Sequence, residues 1–357
     1  MTKFSGFNNA ITFWFNDNKR NLPWRKTKDS YKIWVSEIIL QQTRVNQGIE
    51  YYKNFIRKFK NINALASADI NEVLKIWQGL GYYSRARNMH ETAKKVVQEK
   101  GGIFPVKYEE IIKLKGIGKY TAAAIASICF GEAIPVVDGN VYRVISRYKG
   151  IFTPIDSNNA YSEFYSTAKN LMLSSEPGTF NQSVMELGAI ICTPKKPDCK
   201  QCPVAKGCYA RKYNKIDLLP AKSKSTKVRK RYFNYLVISN NENILIKKRV
   251  QNDIWKSLFD FPLIESKKNI SVYELLCLDE FRNNWKFKKR NLLNSSKIYE
   301  HKLTHQIIYA RFYKFKLIDS ETPVISDISM IKLKQLHSFP VPRLVDKYIS
   351  HEFGIHK

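Results

Sequence analysis

Apolar residues recur at three- and four-residue spacing through most of positions 1–210, which predicts a succession of α-helices. Gly and Pro interrupt that period at Leu22-Pro23, Gly79-Leu80-Gly81, Gly101-Gly102, Gly116-Ile117-Gly118 and Gly131. Beyond residue 231 the period changes. Tyr232 to Ser239 and Ile244 to Lys248 read as paired strands around the polar turn Asn240-Asn241-Glu242-Asn243, and Ile307 to Leu317 reads as a further strand rich in Tyr, Phe and Ile. The pattern predicts a mainly α domain over residues 1–210 and a smaller α+β domain over residues 232–357. Between them, residues 211–231 carry nine Lys/Arg and a single acid, Asp217, which predicts an extended basic connector, either touching phosphates or solvated.

Composition narrows the class. With 357 residues, 44% hydrophobic and 13% aromatic, the chain can bury a sizeable core and is globular rather than disordered. Sixty Lys/Arg against 31 Asp/Glu give a formal net charge of +29. That balance points to a polyanionic partner, nucleic acid before an anionic membrane, although a Lys-rich solvated surface accounts for it as well. No apolar run approaches the ~18 residues of a membrane span; Thr121 to Val137 is broken by Glu132 and Pro135. Met1 to Asn9 lack a basic segment followed by an apolar one, so no secretory leader is expected. Six cysteines in this length are not a disulfide scaffold, and a reducing compartment is expected.

Four of those cysteines, Cys192, Cys199, Cys202 and Cys208, are spaced C-x6-C-x2-C-x5-C. Thiolates this close in a reduced compartment point to a metal, and zinc and an iron–sulfur cluster both suit them chemically. Lys195, Lys196, Lys200 and Lys206 make the same loop basic. Cys129 and Cys277 stand alone in apolar stretches and read as core.

Leu114-Lys115-Gly116-Ile117-Gly118-Lys119 joins two helical stretches. Glycines there permit φ > 0 and close approach of backbone N–H groups to a ligand. The helix that follows points its first amides outward, a ready phosphate site. Taken alone, such a turn is as well explained by tight packing.

Two carboxylates stand out. Asp138, between Val136-Val137 and Gly139, falls at the start of a helix, where dipole and backbone donors favour its anion; by position alone it is an ordinary cap. Glu37 has Ile33, Trp34 and Leu40 as its helical neighbours, so it sits on an apolar face where burial keeps it protonated longer. The alternative for Glu37 is an interface residue paired with an Arg. A proton-holding Glu and an ionised Asp together suit general-acid cleavage of a glycosidic bond.

The motifs together resemble the MutY-type adenine DNA glycosylases of the endonuclease III, helix-hairpin-helix superfamily. The residues that carry the likeness are Leu22-Pro23-Trp24-Arg25, Ser36-Glu37-Ile38-Ile39-Leu40-Gln41-Gln42-Thr43, Gly79-Leu80-Gly81-Tyr82-Tyr83, Val137-Asp138-Gly139-Asn140-Val141 and the four cysteines. The resemblance covers residues 1–210 and, more loosely, 232–357. It implies a six-helix barrel and iron–sulfur subdomain followed by a Nudix-like lesion-recognition domain. It implies one 4Fe-4S cluster on the four cysteines, with structural zinc as the alternative. It further implies that the enzyme flips adenine out of an adenine:8-oxoguanine or adenine:guanine pair in double-stranded DNA and hydrolyses its glycosidic bond. In that chemistry Glu37 is the acid, Asp138 stabilises the sugar cation, and Tyr120 and Asn140 orient them. Arg25 and Gln182 match positions around the adenine, while Gln42 and Tyr82 match positions that prop open the stack. Gly116, Gly118 and Lys119 form the DNA-binding hairpin.

Tyr120 occupies the place where bifunctional relatives carry a lysine nucleophile, and a phenol forms no Schiff base. A monofunctional enzyme is therefore expected, against a glycosylase/lyase for oxidised pyrimidines or a scaffold that binds DNA without chemistry. Asp253-Ile254-Trp255-Lys256-Ser257-Leu258-Phe259-Asp260-Phe261-Pro262 resembles the Nudix-like domain. The family's Phe-Ser-His lesion loop reads Leu303-Thr304-His305 here, which makes Thr304 and His305 the expected readers of the opposite base. Residues 232–357 contain one glycine, Gly354, so a working Nudix hydrolase with its Gly- and Glu-rich metal box is not expected. The resemblance also implies a cytoplasmic, nucleoid-associated, bacterial-type monomer without a membrane partner.

Overall fold

The computed structural model describes residues 5–172, 176–223, 228–285, 291–316 and 327–354. Leu317, at the end of an expected strand, and residues 224–227 of the expected connector lie outside these. The chain divides into two compact units, one of residues 1–67 and 88–225, the other of residues 68–87 and 226–357.

The first unit is helical. It holds α1 (Ser5–Asn18), α2 (Ser30–Leu40), α3 (Val45–Lys58) and α4 (Ile62–Ser67). After α5 (Ile70–Trp77), which belongs to the second unit, come α6 (Ser84–Lys100), whose first turn precedes the division, and α7 (Tyr108–Ile111). They are followed by α8 (Lys119–Phe130), α9 (Gly139–Lys149), α10 (Ala160–Leu171), α11 (Pro177–Ile190) and α12 (Tyr209–Lys212). The helix α2 starts where the Asp29 carboxylate accepts from the Tyr31 and Lys32 amides at 2.9 and 3.2 Å. Tyr31 and every residue from Ile33 to Ile39 are buried, while Lys32 is partly exposed, so nearly the whole helix surface is covered.

The helix α11 organises the rest. Gly costs about 1 kcal/mol inside a helix, and α11 carries two. A Cβ at Gly178 would lie 2.8 Å from the Ser127 carbonyl, and one at Gly188 would lie 2.6 Å from the Asn140 side chain. The two glycines let α11 press against α8 and α9. Between them, buried Asn181 donates to Ser127 Oγ (2.8 Å) and the Ile134 carbonyl (2.9 Å) and accepts from the Val136 amide (2.9 Å). It pins the segment that delivers Asp138. The stretch expected as an extended connector is instead partly folded onto this unit. Its first residues lie in α12, the Leu219 carbonyl accepts from Arg147 Nε (2.9 Å), and Ser223 donates to Asp156 (2.9 Å). Backbone carbonyls offered to a buried guanidinium hold it there.

The second unit is a mixed sheet with helices. Its strands are β1 (Arg229–Ser239), β2 (Asn243–Lys248), β3 (Phe259–Asp260), β4 (Leu263–Ser266), β5 (Leu292–Ser295), β6 (Tyr299–Lys302), β7 (Gln306–Lys316) and β8 (Ile328–Lys332). The β1–β2 hairpin closes as its pattern predicts, with Asn240 Oδ1 accepting from the Glu242 and Asn243 amides. The longest pairing is parallel, β1 against β7 from Arg229↔Gln306 to Ser239↔Lys316. The C-terminal helix (Arg343–Phe353) covers the sheet, with Tyr348 stacked on Phe312 at 3.9 Å between centroids. Residues 68–87 pack in this unit although the helical period places them in the first. Lys75 Nζ donates to the His337 and Phe339 carbonyls, and Gln78 donates to Asp346 at 2.9 Å. Helical period reports a face and not the element it packs on.

Replacing Asn181 with Ala strands the Val136 amide and Ile134 carbonyl, at about 1–3 kcal/mol for each buried group. Thermal and urea unfolding should show a loss of about 2–4 kcal/mol; an unchanged midpoint would refute this account of the Asp138 segment.

Candidate active site

A pocket of about 210 Å3 in the first unit brings together six of the residues expected at the site: Arg25, Glu37, Tyr120, Asp138, Asn140 and Gln182. Glu37 reaches it from α2, where it is only 6% exposed. The Tyr120 hydroxyl, from the first turn of α8, donates to Glu37 Oε2 at 2.6 Å. Burial pushes the Glu37 carboxyl up to about 7; the Tyr120 bond and Arg25 oppose this and Asp138 adds to it. Glu37 is therefore a buried acid that holds a proton to near neutrality.

Asp138 caps α9. Its Oδ1 accepts from the Asn140 and Val141 amides (3.0 and 2.8 Å), and its Oδ2 accepts from Asn140 Nδ2 (2.8 Å). These donors were expected to dominate. Burial outweighs them, so Asp138 sits above the ordinary aspartate value. Asn140 is held in turn by Arg143, whose Nη2 donates to Asn140 Oδ1 (2.8 Å) and the Gly188 carbonyl (2.7 Å) while its Nε donates to the Cys192 carbonyl (2.7 Å). The carboxylate is thus linked through two side chains to the first cysteine of the loop.

A third carboxylate, Glu186, was not expected. It is 1% exposed and accepts bidentate pairs from both Arg20 (2.6 and 2.9 Å) and Arg25 (2.7 and 2.9 Å). Burial pushes its pKa up, but the two guanidinium groups win and hold it at about 2. Arg25 therefore spends its charge on Glu186. The available signal was the stripe Gln182, Met185, Glu186 and Ala189 on α11, spaced to line one wall.

The remaining predicted residues fall in four places. Gln42 lies in the turn after α2 with φ 55°, a strained conformation for a side chain of its kind. Gly116 does need its positive φ of 79°, and a Cβ there would meet Asn88 at 2.7 Å. Gly118, expected to share that need, is extended at φ −92° and leaves open space before α8. Lys119 Nζ rests over the Tyr161 ring at 4.3 Å. In the second unit, Tyr82, Thr304 and His305 line one cavity of about 650 Å3, with the Tyr82 and Thr304 hydroxyls 2.7 Å apart. Tyr82 has φ 48°. The four cysteines line a common cavity with Arg147 and Arg211. Among the described residues, no three His, Cys, Asp or Glu side chains converge to hold a single metal ion. Cys129 and Cys277, expected in the core, are half-buried and exposed; an apolar neighbourhood in sequence does not ensure a buried face.

Residues 35–167 match the HhH-GPD superfamily of base excision DNA repair proteins, and residues 234–351 match the NUDIX domain. An adenine DNA glycosylase of Buchnera aphidicola from Schizaphis graminum is 34% identical over 96% of this chain and 97% of its own length. The chain belongs to the adenine DNA glycosylase family. The adenine DNA glycosylase of Homo sapiens is 44% identical over 59% of this chain and 40% of its own. Among solved structures, a thermostable thymine-DNA glycosylase is similar at 32% identity and a TM-score of 0.55, over 59% of this chain and 97% of that one. A trapped endonuclease III–DNA intermediate shares the fold at 20% identity and a TM-score of 0.51. Membership makes the protein a DNA N-glycosylase of base excision repair, with a helix-hairpin-helix domain and a Nudix-like domain. Among the described residues, no helix of this adenine DNA glycosylase is long and apolar enough to cross a membrane.

Glu186→Gln would leave Arg20 and Arg25 facing an uncharged amide. Because Arg20 is about one-third exposed, the loss should fall at about 2–4 kcal/mol rather than above it. Arg25, no longer neutralised, should also draw the Glu37 pKa down, so the alkaline limb of the pH–rate profile should move to lower pH. An unmoved limb in a folded variant would show that Arg25 does not act on Glu37.

Proposed function

We propose that this enzyme removes adenine paired with 8-oxoguanine or guanine in double-stranded DNA and leaves an abasic site without cutting the strand. The observation that carries this reading is the buried Glu37 carboxyl, pushed up to about 7, in the same pocket as Asp138. The nucleotide is flipped into the pocket at a cost of about a few kcal/mol. Glu37 gives its proton to the purine ring, which turns the base into a neutral leaving group. As the glycosidic bond breaks, positive charge grows on the sugar, and Asp138, oriented by Asn140, stabilises it. Glu37, now anionic and still bound by Tyr120, takes a proton from the water that adds to the sugar. Arg25, Gln182 and Glu186 position the base.

The absence of strand cleavage is supported by Tyr120, a phenol in the pocket, and by Lys119, whose ammonium is engaged with Tyr161. Gly116, Gly118 and Lys119 bind the DNA backbone, helped by a net charge of +29. Gln42 and Tyr82 prop the stack, and Thr304 and His305 read the opposite base. Thr304 supplies the hydroxyl that the family's serine would, and Leu303 gives up an aromatic surface.

Cys192, Cys199, Cys202 and Cys208 would hold a 4Fe-4S cluster. The four thiols line one common cavity, and an all-thiolate donor set is the one that iron–sulfur clusters use. With four protein ligands the cluster supplies structure to the loop rather than hydrolysis. The protein acts as a monomer in the cytoplasm, at the nucleoid.

A single-turnover assay on duplexes with adenine opposite 8-oxoguanine, guanine or thymine, with and without hot alkali, tests the reading. Strand breaks should need alkali and form fastest opposite 8-oxoguanine. Breaks without alkali would mean a lyase, and equal rates opposite guanine would mean that Thr304 and His305 do not read the lesion. The rate should fall as pH rises through about 7, because Glu37 then loses its proton. Glu37→Gln should abolish cleavage and leave the unfolding temperature at pH 8 equal or higher, since burying the ionised carboxylate opposes folding above its raised pKa.

A further inference from the structure

A second cavity of about 560 Å3 lies beside the catalytic pocket, and Trp24, Arg25, Ile128 and Gln182 line both. We propose that this cavity is a vestibule that receives free adenine after cleavage and lets it leave while the abasic DNA is still bound; this rests on the base-removal reading above.

Three observations place and qualify the vestibule. The first is direction. The helix α8 begins after the Gly116–Gly118 hairpin at Lys119 and reaches Phe130 eleven residues later, about 16 Å away at 1.5 Å per residue. Tyr120 lines the catalytic pocket near the hairpin end, Ile128 lines both cavities two turns on, and Cys129, Phe130 and Gly131 line only the vestibule. DNA held at the hairpin end leaves the far end of α8 open.

The second is size. At about 210 Å3, the catalytic pocket is below the roughly 300–1,000 Å3 usual for ligand sites, and the vestibule is within that range. The second cavity is therefore the roomier of the two for a cleaved base.

The third is charge. Arg25 shares the Glu186 carboxylate with Arg20, and the other two charged groups on the vestibule wall, Lys28 and Glu176, are of opposite sign. The wall therefore carries only one partly compensated guanidinium beyond a balanced pair. It offers an indole, two threonine hydroxyls and the Gln182 amide, which suit a flat, neutral, hydrogen-bonding purine. The Gln182 amide already leans toward the first turn of α11, with Nε2 at 3.4 Å from the Gly178 carbonyl, and Gly178 is a vestibule residue.

The experiment uses the cluster-loaded enzyme in excess over a duplex carrying radiolabelled adenine opposite 8-oxoguanine. After one turnover, rapid gel filtration separates free adenine from the enzyme–abasic-DNA complex. Adenine should elute free while the abasic duplex remains bound. Thr179→Trp on α11 and Cys129→Phe on α8 each narrow the vestibule without touching the acid or the cap. Each should cleave within about twofold of the unmodified enzyme and retain adenine in the complex about tenfold longer, an effect on release rather than on association. The proposal fails if the unmodified enzyme keeps adenine until DNA dissociates, or if the narrowed variants cleave normally and release adenine at the original rate. The first arm needs no variant, so it decides even where a narrowed chain does not fold. Absence of any free adenine would count against the base-removal reading instead.

Discussion

Three carboxylates share one small buried pocket, and only one of them has cations for partners. Burial presses each of Glu37, Asp138 and Glu186 toward its neutral form. What separates them is the kind of donor supplied. Glu186 receives two guanidinium forks and stays ionised. Asp138 receives two backbone amides and one side-chain amide, neutral donors that only partly offset burial. Glu37 receives one phenol. The pocket therefore holds a fixed anion, a capped aspartate and a proton carrier within one lining, which is the separation of pKa values that acid-assisted bond cleavage requires.

Those donors are where they are because of backbone packing. The two glycines of α11 allow it to touch α8 and α9, and the contact at Gly188 brings the carbonyl that Arg143 needs within 2.7 Å. Arg143 then holds Asn140, and Asn140 holds Asp138. Asn181, one turn before Glu186, fixes the incoming segment through three hydrogen bonds. One helix thus presents the counter-anion for Arg25, clamps the loop before the cap and accepts the guanidinium behind it. Loss of any one contact would be felt at the carboxylate through geometry before it was felt as charge.

Much of this was legible in the chain. Glu37 stood out among Ile33, Trp34 and Leu40, because an acid on an apolar face is explained only by use or by pairing with an Arg, and the fold gives it the Tyr120 hydroxyl instead. Asp138 was visible as a cap, the break points of the helices were visible as Gly and Pro, and the β1–β2 hairpin was visible in its polar turn. What stayed hidden depends on tertiary neighbours. Glu186 looks like any helical acid until Arg20 and Arg25 are folded onto it. Gly178 and Gly188 look like weak points of a helix until another helix crosses them. The sign of the Asp138 shift could not be read either, because local donors are written in sequence and burial is not. The same applies to residues 68–87, whose helical period says nothing about which core they join.

That last segment has consequences for how discrimination and chemistry are divided. Tyr82 lies within it and shares a cavity with Thr304 and His305, so the groups proposed to sense the opposite base belong to one compact unit, while the groups proposed to break the bond belong to the other. The backbone passes from one unit to the other on both sides of this segment and again before β1. The second unit is therefore not joined to the first by a single stretch of backbone, as a connector at residues 211–231 would suggest. Tyr82 is held at φ 48° by a fold that also gives its hydroxyl a partner on Thr304. A side chain that pays backbone strain and still makes its hydrogen bond before any ligand arrives is pre-set. Replacing the family's serine with Thr304 keeps the hydroxyl for that bond and adds a methyl group. The added methyl narrows the rotamers the hydroxyl can take, which favours a single presentation of it to Tyr82.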